Sequence, residues 1–232
     1  MQILLGSFAY AREPVKLAVL TASPPSRIDA IVLTEVYRRA GIPLRLITMP
    51  GLRASAEADS GRIDGEVARV SSYGKQYPNL IRVEPPIDAL TVSAYFKKSL
   101  NAQIKTRDDL KKYSIGYVRG LKVPAELVMN FPRVLDTQSS KSLVQMLNAD
   151  RFEVIVNNNS STDFYINQMG LKNIEKVELR HEPLHHYLHK KHSDLARIIS
   201  ATITQMIQSG ELAKLLKQAE YEVLSGIEKT PE

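Results

Sequence analysis

The chain has 232 residues, of which 44% are apolar and 24% charged, a length and balance ordinary for a globular protein of one large domain or two smaller lobes, and it has no low-complexity tract. The net charge of +6 comes from lysines and arginines spread along the chain, which argues weakly for an anionic partner and against nucleic acid, where a basic stripe would be expected. There is no cysteine, hence no disulfide, thiolate metal site or cysteine nucleophile.

Residues 1–11, MQILLGSFAYA, have a short apolar run followed by the small-x-small pattern Ala9-Tyr10-Ala11, and read as the tail of an export signal. No other stretch approaches the roughly 18 apolar residues of a membrane span. Val15 to Leu20 reads as a strand, and a Pro-rich turn from Thr21 to Ser26 follows. A helix is expected over 27–40, capped by Ser26, with Ile28, Ile31, Val32, Leu33 and Val36 on its apolar face and Gly41 as its stop. Leu44 to Met49 is a second strand, Leu52 to Asp59 a helix ending at Ser60-Gly61, and Arg62 to Val70 a third strand. This β-α-β-α-β order is that of a parallel sheet covered by helices.

Leu80 to Val83 and Leu90 to Phe96 read as strands, with Tyr77-Pro78 and Pro85-Pro86 as breaks, and polar Lys97 to Gln103 as a crossing between two lobes. A second βα series then begins at Thr106. It comprises a brief helix to Lys112, strands at 114–118, 133–135 and 152–156, and helices from about Val123, from Ser139 or Ser140 to Ala149, and on to Met169. Strands at 174–179 and 184–188 and a long helix broken at Gly210 complete the chain.

The candidate ligand contacts lie where ligands bind in open α/β sheets, beyond the carboxyl ends of strands. Arg69 ends the third strand, with Ser71 and Tyr73 just after it; the plainer reading is a solvated arginine on an edge strand. Arg119, Gly120 and Lys122 precede a helix, where backbone N–H groups and two cations favour an anion; a basic surface loop is equally consistent. Asn157 and Asn158 follow another strand and suit either a polar ligand or a helix cap. All five histidines fall within 181–192, on a pattern closer to a strand than to a zinc site. No nucleophile–base pair stands out in the sequence.

Several segments, in order, resemble the bacterial extracellular solute-binding proteins of family 3, which have the type II periplasmic-binding fold. The Pro-Pro loop around Ser23 is one, and Pro50 and Arg53 with Ser60-Gly61 and Asp64-Gly65 are another; Ser23 and Arg53 join the candidate ligand contacts. Tyr77-Pro78 with Pro85-Pro86, Asp109-Leu110 with Gly116 and Gly120, and Ser209-Gly210-Glu211-Leu212 complete the series. The resemblance implies an α/β fold of two lobes, each a mostly parallel sheet flanked by helices, with residues 12–95 plus 187–232 in one and 96–186 in the other. It places two crossings near Ala94-Tyr95 and His186-Tyr187. It further implies an exported, periplasmic and monomeric protein that holds a small polar solute in an interlobe cleft and delivers it to an ABC permease. No cofactor, metal or nucleic acid is implied. Two positions depart from the family's amino-acid binders. Their usual "T..R" segment reads Ser72-Tyr73-Gly74-Lys75-Gln76, leaving Arg69 as the carboxylate candidate, and Asn158 stands where an ammonium-binding Asp is usual. The alternatives are an enzyme of the same fold acting on a small carboxylate, dehydratase-like, and a stand-alone ligand-sensing module.

Overall fold

The computed structural model describes residues 13–21 and 23–226 and divides into two compact units. The described residues up to Ile87 with His185–Ala219 form the first, and Asp88–Leu184 with the described residues from Glu220 form the second. The chain thus passes between them at Ile87/Asp88 and Leu184/His185, and a third time inside its last helix. The segment read as an export signal lies outside the described residues. Among the described residues no helix is long and apolar enough to cross a membrane.

In the first unit, β1 (Val15–Leu20) lies between β2 (Leu44–Met49) and β3 (Gly65–Val70), parallel to both. The end of β9 (Ile174–His189) lies beside β3, and β4 (Leu80–Arg82) pairs antiparallel with it. Helix α1 (Pro24–Arg39) covers one face together with α6 (Ser193–Gln208), burying Leu17, Val32, Leu33, Val36 and Ile199. Helix α2 (Gly51–Asp59) covers the other, where Ala18, Ala54, Ala58 and Tyr187 are buried. Helix α1 starts three residues earlier than the sequence pattern suggests. Ser23 is its N-cap, accepting from the Ser26 amide at 3.3 Å, because Pro24 and Pro25 fill first-turn positions that need no N–H. Ser26 instead accepts from the Leu20 amide.

Gly65 is required by packing. A Cβ there would stand 2.1 Å from the Tyr187 carbonyl oxygen of β9, a backbone atom that cannot step aside. Gly65→Ala is therefore expected to cost about 1–3 kcal/mol, the usual range for overpacking, read as a lower urea midpoint at unchanged m-value.

In the second unit the strand order is β9, β5 (Asp88–Lys97), β8 (Val154–Asn158), β6 (Ile115–Val118), β7 (Val134–Thr137). The pairs among β6, β7 and β8 are parallel, and β5 runs antiparallel to both β8 and β9. Helix α3 (Lys122–Val128) packs on one face over Ile115, Val154 and Val156. Helices α4 (Ser140–Asn148) and α5 (Asn159–Gln168) pack on the other over Tyr95, Val118 and Ile155. The two strands expected at 174–179 and 184–188 are one strand, β9. Its pairing with β5 continues through Pro183, with one residue of β9, Leu179, left unmatched opposite Val92 and Ser93. Helix α7 (Glu211–Ser225) adds Leu212 to the first unit's core, while Tyr221 meets Phe164 edge-on in the second.

Candidate functional site

The carboxyl end of β3 carries a compact polar network in the first unit. Glu66 faces the α2 side beside Ala18 and is 1% exposed. Arg69 pairs with it, Nε donating to Oε2 at 2.6 Å and Nη2 close to the same oxygen. Nη2 is buried and has no well-aligned acceptor among the described residues. The Tyr73 hydroxyl donates to the other Glu66 oxygen and lies 2.6 Å from Ser55 Oγ on α2. Arg69 also lies over the Tyr73 ring, 5.0 Å from its centroid. Burial, then the Glu66 charge, pushes the Tyr73 phenol well above its ordinary range, so it is a permanent donor here.

Two neighbouring histidines of β9 point to opposite faces, as adjacent strand residues must. His186 is fully buried, its Nδ1 2.8 Å from the Glu66 carbonyl and its Nε2 2.9 Å from the Tyr37 hydroxyl. Burial lowers its pKa to about 4, so it is neutral at pH 7. His185 faces the other way, with Nε2 3.0 Å from Ser71 Oγ. Asp64, just before β3, is a structural acid. Burial pushes its pKa up, but bonds from Lys191, the Lys16 amide and His192 outweigh this and bring it to about 2. The histidines therefore serve separate sites, and among the described residues no group of three His, Asp or Glu side chains gathers to hold a metal.

The remaining first-unit candidates are peripheral to this network. Ser23 caps α1, and Arg53 on α2 is 69% exposed, 3.8 Å from Glu57. In the second unit Arg119 follows β6 and is held by Asp136 at 2.7 Å. Gly120 takes φ +85°, and Lys122 opens α3 with its ammonium 3.9 Å from Glu126. Arg119, Lys122, Glu126 and Asp136 rim a groove of about 730 Å³ floored by Tyr117, Val128 and Phe131. Asn157 is buried, its Nδ2 donating to Ser140 and Thr162, and its Oδ1 without a partner among the described residues. Asn158 is the N-cap of α5, accepting from the Ser161 amide at 3.2 Å. The sequence reading named Arg69 and Tyr73 but passed over Glu66, the acid that both of them bond to. The available signal was an acid at a strand position flanked by apolar residues, where an unpaired carboxylate would be costly.

No protein-family model matches the chain. An uncharacterized protein of Shewanella oneidensis is 28% identical over 199 residues, covering 82% of this chain and 74% of that protein. Among solved structures, the GluR0 ligand-binding core in complex with L-glutamate superposes with a TM-score of 0.68 at 15% identity, over 90% of this chain and 98% of that one. The chain has the type II periplasmic-binding fold. A substrate-binding protein of an amino acid ABC transporter gives a TM-score of 0.59 at 16% identity, over 89% and 98% of the two chains. These neighbours of the fold are ligand-binding proteins rather than enzymes. In α/β folds of this kind ligands meet the carboxyl ends of parallel strands. Arg69 and Tyr73 stand at such an end in one unit, and Arg119 and Asn158 in the other.

Proposed function

We propose that this protein is an exported binding protein of the family 3 type that takes up a small amino-acid-like solute and hands it to an ABC permease. The observation that carries the reading is Arg69, a partly buried guanidinium at the carboxyl end of β3, paired with Glu66 and with one nitrogen, Nη2, lacking a well-aligned acceptor. A guanidinium fork suits a planar carboxylate. The fold neighbours that bind L-glutamate or serve amino acid transport support the same class. Among anionic and zwitterionic solutes, the zwitterion fits better. Arg69 has Glu66 beside it, Arg119 has Asp136 and Lys122 has Glu126, so both signs of charge are on offer wherever a cation stands.

A thermal-shift screen with amino acids, dicarboxylates, keto acids and neutral sugars tests this. A true ligand at a hundred times its Kd adds about 2.7 kcal/mol of stability, a shift of a few degrees for a chain of this size. Arg69→Lys keeps the charge and removes the fork. It is expected to weaken binding of the identified solute by at least about tenfold in calorimetry. Unchanged affinity would remove Arg69 from the site, and a silent panel would overturn the small-solute reading.

A further inference from the structure

The first unit also contains an arrangement, centred on His185, on which the Arg69 reading does not rest. His185 Nδ1 is 3.4 Å from the Val83 carbonyl oxygen and 3.3 Å from Glu84 Oε2. Both neighbours are acceptors, so the ring proton belongs on Nδ1. Nε2 is then a bare lone pair, and the Ser71 hydroxyl 3.0 Å away donates to it. This is the tautomer and direction a serine nucleophile requires of its base. The neighbouring His186 is the contrast. It has the same Nδ1-to-carbonyl arrangement, but its Nε2 is closed by Tyr37 within the core. His185 instead opens onto Ser71, a half-buried residue in the turn after β3. The charged groups facing His185 are Glu84 and Arg82. Arg82 binds Glu84 at 2.6 Å through Nε and donates to the Ser71 carbonyl at 3.3 Å through Nη1, which places a guanidinium beside the serine.

We propose that Ser71, His185 and Glu84 form a nucleophile, base and positioning carboxylate that hydrolyse small carboxylic esters. Ser71 Oγ bonds to the ester carbonyl carbon as His185 Nε2 takes the hydroxyl proton. The C–O bond to the alcohol then breaks, and Nε2 returns that proton to the departing oxygen. A water, deprotonated by Nε2, attacks the acyl carbon, and the Ser71 Oγ–C bond breaks with the proton passing back to Oγ. The balance is ester plus water giving acid plus alcohol. Arg82, held beside the serine by its bond to the Ser71 carbonyl, is the cation this proposal assigns to the oxygen that becomes negative in each tetrahedral intermediate.

The experiment uses the whole chain and a fluorophosphonate probe, and so does not depend on identifying the transported solute. The expected result is one adduct by intact mass, mapped to Ser71, absent in Ser71→Ala and formed roughly a hundredfold more slowly in His185→Gln. p-Nitrophenyl acetate turnover should fall in the same order. Glu84→Gln is exposed enough to leave folding intact. It should slow labelling and move the midpoint of its pH profile downward, since an anion beside the imidazolium is removed. That second effect is not expected of a merely structural glutamate. No adduct at Ser71 in the wild-type protein, or one formed equally fast in a folded His185→Gln, overturns the proposal. If His185→Gln does not fold, an unchanged rate and pH profile in Glu84→Gln does so.

Discussion

Between pH 6.5 and pH 4 the protein is expected to lose about 3 kcal/mol of stability through a single side chain, His186. In the unfolded chain this imidazole takes a proton near pH 6.5, while in the fold burial holds its pKa at about 4. Within that window the unfolded state binds the extra proton, so stability falls as pH falls and levels off below about 4 for this group. Two and a half pH units at about 1.36 kcal/mol each give the figure. The sealing is structural: carbonyls of β3 fix Nδ1–H and Tyr37 from α1 fills Nε2, so on protonation the Tyr37 hydroxyl would have to switch from donor to acceptor with the imidazolium still cut off from water. His185 and His189 are lowered in the same direction by burial and steepen the slope. Asp64 adds a separate loss below pH 3.8, down to about 2. Urea melts at pH 7, 5.5 and 4 on the wild type and His186→Gln check the assignment. The variant should start weaker at pH 7 but lose about one proton's worth of slope in the window. Equal slopes in the two proteins would place the acid sensitivity elsewhere.

Much of the fold is legible in the chain because its strands are short apolar runs bounded by polar turns. Both VKLAVL and LRLITM begin and end where the residue pattern places them. The misread elements are those whose form depends on a partner. β9 looks like two strands because Arg180 to Pro183 is polar and contains a proline, yet its pairing with β5 carries it through as one. Helix α1 is the exception, misread for a local reason: proline is harmless in a first turn, so the helix begins early. The site, like β9, is less legible because its form depends on partners. Ser71 and His185 are 114 positions apart, and no local spacing connects them. Asn158, placed by resemblance at an ammonium-binding position, also serves as the cap of α5, a role that its strand-to-helix setting already suggested.

The Glu66–Arg69 pair carries the second large effect. Removing one partner of a buried ion pair strands the other charge away from water, at about 3–5 kcal/mol. Glu66→Leu is expected to cost that much, because it leaves the Arg69 guanidinium, with 16% of its side chain exposed, and the Tyr73 hydroxyl without their shared acceptor. Arg69→Met should cost a comparable amount by leaving Glu66 charged at 1% exposure. The double variant Glu66→Leu/Arg69→Met should recover most of the loss, because desolvating the pair offsets most of its attraction. A double-mutant cycle in urea therefore reads a coupling of a few kcal/mol, and single variants each costing under about 1 kcal/mol would show that water reaches the pair. The cycle bears directly on function. An arginine already neutralised by Glu66 is a weaker magnet for a solute carboxylate than a free one. Glu66→Gln keeps the shape and an acceptor oxygen for Arg69 while removing the negative charge. If Arg69 holds a solute carboxylate, this variant should bind an anionic solute more tightly than the wild type, by about tenfold for 1.4 kcal/mol of relieved repulsion. A solute that binds both proteins equally, measured by calorimetry at low and moderate salt, is held without Arg69.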